Sequence, residues 1–159
     1  MHTIYLLLGS NMGKPEEQLA AAVYHIEKKI GKTKRRSSIY QTAAWGKTDQ
    51  PDFLNQVIIV ESEQPAPVVM NNILSIEKEM GRVRTEKNAP RVIDIDILFF
   101  NKEIIHTAQL TVPHPEIQNR RFVLIPLKEL SPLLQHPLLH QDITTLLTNC
   151  TDKLDVKKF

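Results

Sequence analysis

The sequence is poor in the features that would place it in several common protein classes. It has a single cysteine, Cys150, so an intrachain disulfide framework is excluded. No apolar run approaches the roughly 18 residues that a membrane-spanning helix needs. Twenty Lys and Arg against eighteen Asp and Glu give a net charge of +2, which is too small for a protein that coats a polyanion. Any phosphate chemistry must therefore come from local clusters of charge.

The chain also lacks the usual signals for export, for a P-loop and for a zinc protease. Residues 1–4 carry no basic segment before their apolar stretch, so we expect no signal peptide and, with one free thiol, a cytoplasmic protein. The segment 9–14 has one spacer residue too few for a P-loop, and Pro15 stands where that motif needs Ser or Thr. His136 and His140 are four residues apart, but the glutamate of a zinc-protease motif is missing. The sequence therefore predicts neither a Walker-type nucleotide site nor a zincin.

The order of strand and helix patterns predicts an α+β fold in one domain spanning residues 1–159. Short apolar runs bounded by turn residues predict strands, and apolar residues spaced by three and four predict helices. In chain order we expect strand 3–8, a helix from Pro15 that ends before Gly31, strand 34–42, strand 54–60, a helix that follows Pro67 and ends before Gly81, and strand 93–100.

This βαββαβ order is that of a ferredoxin-like core, an antiparallel sheet with helices on one face. Asn101 and Lys102 predict a hairpin turn into residues 103–105, which adds a β-hairpin to the core. Short C-terminal helices around residues 122–130 and 143–147 are expected to cover the other face of the sheet. The expected architecture therefore has three layers, α/β/α.

The alternation Ile93-Asp94-Ile95-Asp96-Ile97 is the feature that points most strongly to chemistry. On a strand, residues i and i+2 share a face with Cβ atoms roughly 7 Å apart, so both aspartates point one way and the isoleucines point into the core. Aspartate is a poor strand former, and two carboxylates on one face repel each other. Such a pair can hold hard cations about 3.5–4 Å apart, as phosphoryl transfer requires. A solvated sheet face is the alternative interpretation.

A basic segment, residues 81–91, precedes the two aspartates, and its Gly and Pro favour a mobile loop. Its four cations are Arg82, Arg84, Lys87 and Arg91. Guanidinium groups match phosphate oxygens in bidentate fashion. A basic loop alone is usually a solvated surface. Beside a carboxylate pair, however, it favours polyphosphate transfer with bound magnesium.

Two further groups are candidates for ligand contact. The prolines of segment 111–115 hold His114 in a rigid turn, and Arg120 follows closely; an ordinary turn histidine is the alternative. Phe53 and Asn55 share a strand face, and an aromatic ring beside an amide can stack on a flat heterocycle and hydrogen-bond its edge. Taken alone, Phe53 is better explained by core packing.

Together, these segments resemble the hydroxymethyl-dihydropterin pyrophosphokinases of folate biosynthesis. The most specific match is KNAPRVIDIDIL at residues 87–98, which is similar to the signature of that family. The supporting matches, in the same order along the chain, are LGSN at 8–11, QPDFLN at 50–55, GRVR at 81–84, LTVPHP at 110–115, and Asn119-Arg120 with Phe122. The resemblance covers residues 8–126, most of the chain.

The resemblance implies transfer of the β,γ-pyrophosphoryl group of ATP to the hydroxymethyl oxygen of the dihydropterin, with release of AMP. It also implies that Asp94 and Asp96 bind two Mg²⁺ ions that bridge the ATP phosphates. Arg82 and Arg91 would complete the catalytic set by clamping phosphate charge. Because none of these residues is an obvious strong base for an alcohol, we expect positioning and electrostatics to supply most of the acceleration.

The resemblance assigns the remaining contacts residue by residue. The residues implied to bind ATP are Glu77, Arg84, Ile97, Thr111, His114 and Arg120. Those implied to bind the pterin are Thr42, Ala43, Trp45, Phe53, Asn55 and Phe122, with the ring between the two phenylalanines. Where Pro and Leu are common in the pterin loop, this chain has Ala43 and Trp45, and Trp45 is a candidate for an extra wall of the pocket. We expect the pterin and ATP as partners, no nucleic acid or membrane, and a monomer.

Two other functions fit parts of the sequence. A different magnesium-dependent nucleotidyl transferase on a similar sheet would share the two aspartates but would not need Phe53, Asn55 and Phe122 together. A non-catalytic RNA-binding module would need exposed aromatics on its central strands, where the aspartates form an anionic face instead. The basic run at 28–36 lies at a helix end and is better explained as a solvated surface.

Overall fold

The computed structural model describes residues 1–43, 50–82 and 92–159. Its elements, in chain order, are β1 (His2–Ser10), α1 (Pro15–Lys29), β2 (Lys32–Arg36), β3 (Tyr40–Thr42), β4 (Phe53–Ser62), α2 (Ala66–Glu79), β5 (Asp94–Phe100), β6 (Ile105–His106), β7 (Thr111–Val112), α3 (Arg121–Leu130), α4 (Ile143–Thr148) and β8 (Val156–Lys158). A short 3₁₀ helix, Ile117–Asn119, precedes α3.

A six-stranded antiparallel sheet forms the centre of the structure. Its order is β5-β1-β4-β3-β8, and β2 also pairs with β4. The first and last strands of the βαββαβ unit, β1 and β5, are therefore neighbours, and the strands between the two helices, β2, β3 and β4, lie on the other side of β1. This is the ferredoxin-like order that the sequence predicts.

The helices α1 and α2 cover one face of the sheet. Leu19, Val23 and Ile26 recur at helical spacing on the buried side of α1. They join one apolar cluster with alternate residues of the strands, including Ile95 and Ile97 of β5. Burial of this stripe against the sheet is the main reason that the two helices are stable.

The helices α3 and α4 cover the opposite face. Leu124 and Leu127 of α3 and Ile143 of α4 form a second apolar cluster with strand residues such as Leu7 and Phe99. The predicted three-layer α/β/α architecture is thus confirmed. Within residues 1–43, 50–82 and 92–159, no helix combines the length and the apolar character needed to cross a membrane.

The predicted strand 34–42 is instead two strands, β2 and β3. The break lies at residues 37–39, where the Ser37 hydroxyl accepts the backbone N–H of Val57 at 3.0 Å and the Ser37 N–H donates to the carbonyl of Val57 at 2.8 Å. Side-chain bonding to the backbone competes here with the regular ladder. Nothing in the hydrophobic pattern marks that break.

The extra β-hairpin that the sequence predicts is present as β6 and β7, but it is not formed across the turn at Asn101 and Lys102 into residues 103–105. The turn itself exists, and Asn101 has φ 52°, but its N–H and its side chain are both bonded back to Thr3 of β1. The chain then leaves the sheet, and β6 pairs with β7 in a separate two-stranded ladder. The strand β8 has no counterpart among the predicted elements, because its lysines give no apolar alternation.

Candidate active site

Alternation on three neighbouring strands builds the floor of the site. In the register of the sheet, Gly9 of β1 lies between Asn55 of β4 and Asp94 of β5. Asp94 and Asp96 face the same side, and Ile95 between them is buried in the cluster under α1 and α2. The two carboxylates therefore share a face with the amide of Asn55, as the alternation predicts.

Gly9 keeps this floor open. A Cβ atom at Gly9 would lie 2.9 Å from Oδ1 of Asn55, which is too close for two non-bonded atoms. The absence of a side chain thus lets the Asn55 amide lie over β1. Asn55 is 4% exposed, and among the described residues its Nδ2 atom has no hydrogen-bond partner. A buried amide donor of this kind can be satisfied by a bound ligand.

Aromatic, small and charged side chains form a pocket above this floor. Thr42 and Ala43 stand at the end of β3, Phe53 begins β4, and Arg120 and Phe122 flank the first residue of α3. The guanidinium carbon of Arg120 lies 5.8 Å from the centre of the Phe122 ring, which is a cation–π contact. The pocket encloses about 590 Å³, including its open mouth, and is lined by Leu7, Gly9, Thr42, Ala43, Phe53, Asn55, Asp94, Asp96, Arg120 and Phe122.

Arg82 ties the end of α2 to the aspartates. Its Nη1 donates to Oε2 of Glu77 at 2.8 Å and to Oδ1 of Asp94 at 2.7 Å. The same oxygen of Glu77 accepts the backbone N–H of Ile95 at 2.8 Å. Glu77 is 3% exposed, so Arg82 matches the charge of a buried carboxylate. The turn that brings Arg82 to this position needs Gly81, whose φ is 92°.

The environment of Asp96 disfavours its charge. Burial, followed by the negative charges of Asp94 and Glu77, raises the pKa of Asp96 to about 8, although Arg82 and Arg120 act in the opposite direction. Near neutral pH the carboxyl group therefore keeps its proton when no cation is bound. A divalent cation between the two carboxylates would relieve their repulsion and displace that proton.

His114 lies beside the outer edge of β5. Its backbone N–H donates to the carbonyl of Leu98 at 3.0 Å, and its Nδ1 accepts the N–H of Glu116 at 3.1 Å. Burial lowers the pKa of His114, and the charge of Arg120 lowers it further. The ring is therefore neutral at pH 7, and because Nδ1 is an acceptor the proton resides on Nε2. That N–H is available to a ligand oxygen.

Eight of the residues that the resemblance implies lie together in the pocket: Thr42, Ala43, Phe53, Asn55, Asp94, Asp96, Arg120 and Phe122. Five more of the implied residues are described and lie outside the pocket lining. Glu77 and Arg82 are hydrogen-bonded to each other, and Arg82 also bonds to Asp94. Ile97, Thr111 and His114 lie on or beside β5. Trp45, Arg84 and Arg91 fall outside the described residues. The roles assigned to all of these residues stay predictions.

Two lining residues, Leu7 and Gly9, have no role in the sequence prediction. A glycine inside an apolar strand often marks the close approach of a ligand or of another chain segment, so Gly9 carried a usable signal. Leu7 carried none, because it is one of several apolar residues in a strand that is buried on both faces.

Asp94 and Asp96 are the residues that can hold a metal ion. Their oxygens are hard ligands, and Mg²⁺ is commonly bound by one or two carboxylates together with substrate phosphates and water. In the parts of the chain that the structure describes, no group of three or more His, Cys, Asp and Glu side chains could form an all-protein metal site. The donor set therefore fits a magnesium ion whose coordination a phosphate-bearing ligand completes.

Comparison with protein families gives a match over most of the chain. The family model described as 7,8-dihydro-6-hydroxymethylpterin-pyrophosphokinase matches residues 5–132. Among similar proteins, the 2-amino-4-hydroxy-6-hydroxymethyldihydropteridine pyrophosphokinase of Haemophilus influenzae is 38% identical over 159 residues, covering 99% of this chain and 98% of that protein. The protein of the same name from Methylorubrum extorquens is 41% identical over 133 residues, covering 83% of this chain and 84% of that protein.

Solved structures show the same fold at lower sequence identity. The structure of wild-type Plasmodium falciparum HPPK-DHPS with pteroate aligns with a TM-score of 0.74 at 18% identity, covering 92% of this chain. This chain spans 42% of that longer chain. At this level of identity the likeness supports the fold and does not by itself assign a reaction.

Proposed function

The chain belongs to the 7,8-dihydro-6-hydroxymethylpterin-pyrophosphokinase family, and we propose that the pocket beside Asp94 and Asp96 is where it carries out that family's reaction. The reaction transfers pyrophosphate from ATP to the hydroxymethyl group of 6-hydroxymethyl-7,8-dihydropterin in folate biosynthesis. One observation carries the assignment of the pocket: a single cavity joins an aromatic recess with a free amide donor to a pair of carboxylates.

The recess suits the flat, edge-polar ring of a pterin. Phe53 and Phe122 supply aromatic surface for stacking, and the rings come from different elements, β4 and α3. The Nδ2 atom of Asn55 supplies a donor to a ring acceptor, and the end of β3 at Thr42 and Ala43 supplies backbone groups for the ring edge. A ring held there directs its hydroxymethyl arm towards the carboxylate pair.

The proposed path of ATP follows the outer edge of β5. The triphosphate would lie at Asp94, Asp96 and Arg120, and the neutral ring of His114 would donate its Nε2 proton to it. The base would extend past Thr111 towards a second cavity between α2 and the β6–β7 hairpin, whose lining includes Met70 and Leu110. Apolar walls of this kind suit an adenine ring.

Magnesium is part of this proposal because the donor set fits it. When bound at Asp94 and Asp96, the ions would neutralise phosphate charge and hold the triphosphate in line with the incoming hydroxyl. A bound cation would relieve the repulsion that raises the pKa of Asp96, and this relief favours cation binding at the two carboxylates.

In the transfer, the hydroxymethyl oxygen attacks the β-phosphorus of ATP. The bond between the β-phosphorus and the oxygen that bridges to the α-phosphate breaks, AMP leaves with that oxygen, and the hydroxyl proton is released. The pocket contributes orientation, through Phe53, Phe122 and Asn55, and it contributes positive charge, through Arg120 and Arg82. Orientation and charge stabilisation of this kind can supply most of the rate enhancement of phosphoryl transfer.

In this scheme Arg82 would contact the carboxylates first and a phosphate oxygen later. Its guanidinium forms ion pairs with Asp94 and Glu77. When a cation takes over Asp94, one hydrogen-bonding partner of Arg82 is lost, and its guanidinium can turn to a phosphate oxygen while Glu77 keeps hold of it.

The identity of the nucleotide product tests the proposed function. Purified protein is incubated with ATP, Mg²⁺ and 6-hydroxymethyl-7,8-dihydropterin, and the nucleotides are separated by ion-exchange chromatography. We expect AMP in an amount equal to the pterin diphosphate formed, and no AMP when the pterin is omitted. Formation of ADP would indicate transfer of a single phosphate, and release of pyrophosphate would indicate nucleotidyl transfer; either product overturns the proposal.

The Asp96→Asn variant tests the metal role, because it keeps the volume of the side chain and removes its charge. We expect AMP formation to fall by at least about a hundredfold, while binding of the pterin analogue 6-hydroxymethylpterin stays measurable by calorimetry. Retained activity would remove Asp96 from the proposed metal site.

A further inference from the structure

The C-terminal segment 152–159 connects the two walls of the proposed pterin pocket. One wall is the start of α3, where Arg120 and Phe122 line the pocket, and the other is the end of β3, where Thr42 lines it. These walls are far apart in sequence and belong to different layers of the fold. Their separation therefore depends on tertiary contacts, and the segment contacts both of them.

Asp152 makes the contact with α3. Its Oδ2 accepts the backbone N–H of Arg121 at 3.0 Å, and its Oδ1 accepts the N–H of Leu154 at 2.9 Å. The residue at the N-cap of α3, Arg120, forms no side-chain cap hydrogen bond. A free N–H group of the first turn needs an acceptor, and a carboxylate at this end also complements the helix dipole. Asp152 thus serves as a cap from a distance, on the residue between Arg120 and Phe122.

The strand β8 makes the contact with β3. Val156 is paired with Thr42, and the N–H of Phe159 donates to the carbonyl of Ile39 at 2.8 Å. Because hydrogen-bonded pairs alternate along an antiparallel ladder, the next such pair is Lys157 with Gln41. β3 has only three residues, so without β8 it would be held on one edge by β4 alone.

The far end of α3 has its own link to β3. Glu129 accepts the hydroxyl of Tyr40 at 2.7 Å and the N–H of Ser38 at 3.0 Å. Phe122 and Glu129 are seven residues apart, which places them on the same side of the helix. Glu129 thus fixes one end of α3 against β3, and the C-terminal segment helps to fix the end that carries Phe122.

We propose that Asp152 and β8 are positioning elements of the pterin site, which set the separation between Phe122 on α3 and Thr42 on β3. This inference rests on the proposed function, and it assigns a role to a part of the chain beyond residues 5–132, where the family model ends. The segment contacts α3 between Phe122 and Arg120, and it pairs with Thr42 of β3. Phe122 and Thr42 are implied to bind the pterin, whereas Arg120 is proposed to contact the triphosphate. Loss of the segment should therefore weaken pterin binding more than ATP binding.

The test compares two aspartates that cap neighbouring helices. Asp142 caps α4 through the N–H of Thr145 at 2.8 Å, and within the described parts of the chain its contacts do not involve the pocket. With Asp152→Ala we expect the KM for the pterin to rise about fivefold to tenfold, with a smaller rise in the KM for ATP. With Asp142→Ala we expect a similar fall in the melting temperature and no change in either KM.

A second pair of variants tests β8 and does not depend on Asp152. Lys157→Pro removes the N–H that bonds to β3, whereas Lys157→Ala keeps it and removes only an exposed side chain. We expect the pterin KM to rise in the proline variant alone. Variants that lose only stability would show lower melting temperatures with an unchanged pterin KM at 25 °C, and that result overturns the inference.

Direct binding separates this inference from the proposed function. If the unchanged protein forms no AMP, the proposed function fails. Titration of 6-hydroxymethylpterin into the unchanged protein and the four variants still measures the pocket by itself. Weaker binding in Asp152→Ala and Lys157→Pro, with full affinity in the two controls, supports the positioning role. Equal affinity in all five proteins contradicts it.

Discussion

Replacing Asp96 with asparagine should stabilise the metal-free protein even though it removes activity. Asp94 and Asp96 share a face of β5, so their Cβ atoms are roughly 7 Å apart. At that distance, and with an effective dielectric constant of about 20, two negative charges repel by about 2 kcal/mol. Asparagine has the same shape and no charge, so it removes this repulsion together with the cost of burying an ion. At pH values where Asp96 would be ionised, the free energy of unfolding of the variant should therefore exceed that of the unchanged protein by at least about 2 kcal/mol.

The gain should depend on pH in a defined direction. The pKa of Asp96 is about 8 in the folded protein, whereas an aspartate in an unfolded chain has a pKa of about 3.9. The folded state therefore holds the proton more tightly, and the protein loses stability as the pH rises from about 4 to about 8. Asparagine does not titrate. The difference between variant and unchanged protein should be small near pH 4.5 and fully developed at pH 9.

Thermal unfolding followed by circular dichroism in EDTA measures this difference. For a chain of this length, about 2 kcal/mol corresponds to a rise in melting temperature of about 4–8 °C at pH 9. Asp155→Asn is the control, since that side chain is 75% exposed and should change stability by less than about 0.5 kcal/mol. Added Mg²⁺ should stabilise the unchanged protein and not the Asp96→Asn variant. The reasoning is refuted if Asp96→Asn has a lower melting temperature than the unchanged protein at pH 9. It is also refuted if the difference between their melting temperatures is the same at pH 4.5 and pH 9.

Three further predictions concern single residues. Gly9→Ala introduces a methyl group 2.9 Å from Oδ1 of Asn55, so we expect the pterin KM to rise about tenfold with little change in the KM for ATP, as steady-state kinetics would show. Glu77→Ala leaves the N–H of Ile95 without its acceptor and removes one partner of a buried arginine, so the free energy of unfolding in urea should fall by about 3 kcal/mol. His136 accepts two backbone N–H groups at Nδ1, and burial lowers its pKa; the unfolded chain therefore takes up the proton first, and stability should fall as the pH drops below about 6.5. His136→Asn keeps an acceptor oxygen, so its melting temperature should vary less between pH 5 and pH 8.

Each of these predictions has a result that contradicts it. An unchanged pterin KM in Gly9→Ala would mean that the Asn55 amide does not face the ligand. A loss of less than about 1 kcal/mol in Glu77→Ala would mean that water replaces the lost contacts at little cost. An equal acid dependence in His136→Asn and the unchanged protein would mean that other groups cause the acid dependence.

The faces of β5 and the pocket floor could be predicted because alternation fixes which residues share a face. Asp94 and Asp96, like Phe53 and Asn55, needed only the period of a strand to be grouped correctly. The side chains at the start of α3 were grouped with them by the family resemblance. Periodicity alone could not have done so, since the distance between β4 and α3 is set by packing.

The remaining features depend on contacts that no local pattern encodes. The strand β8 forms because β3 offers a free edge, and the lysines of β8 give no apolar signal. The hairpin after β5 fails because Asn101 bonds to Thr3, a residue that lies 98 positions earlier. The position of Glu77 under Arg82 likewise requires α2 and β5 to be packed together before the two residues can meet.

The free edge of β5 bears on how the protein behaves at high concentration. An edge strand with open N–H and C=O groups can pair with the edge of another molecule and start aggregation. Here the N–H of Ile95 donates a hydrogen bond to the carboxylate of Glu77, and the carbonyl of Leu98 accepts one from the N–H of His114. At the opposite edge of the sheet, β8 carries exposed Lys157 and Lys158. The contacts made by Glu77 and His114 thus hinder strand exchange between copies of the chain at the edge where we propose that ATP binds, and the lysines do the same at the other edge.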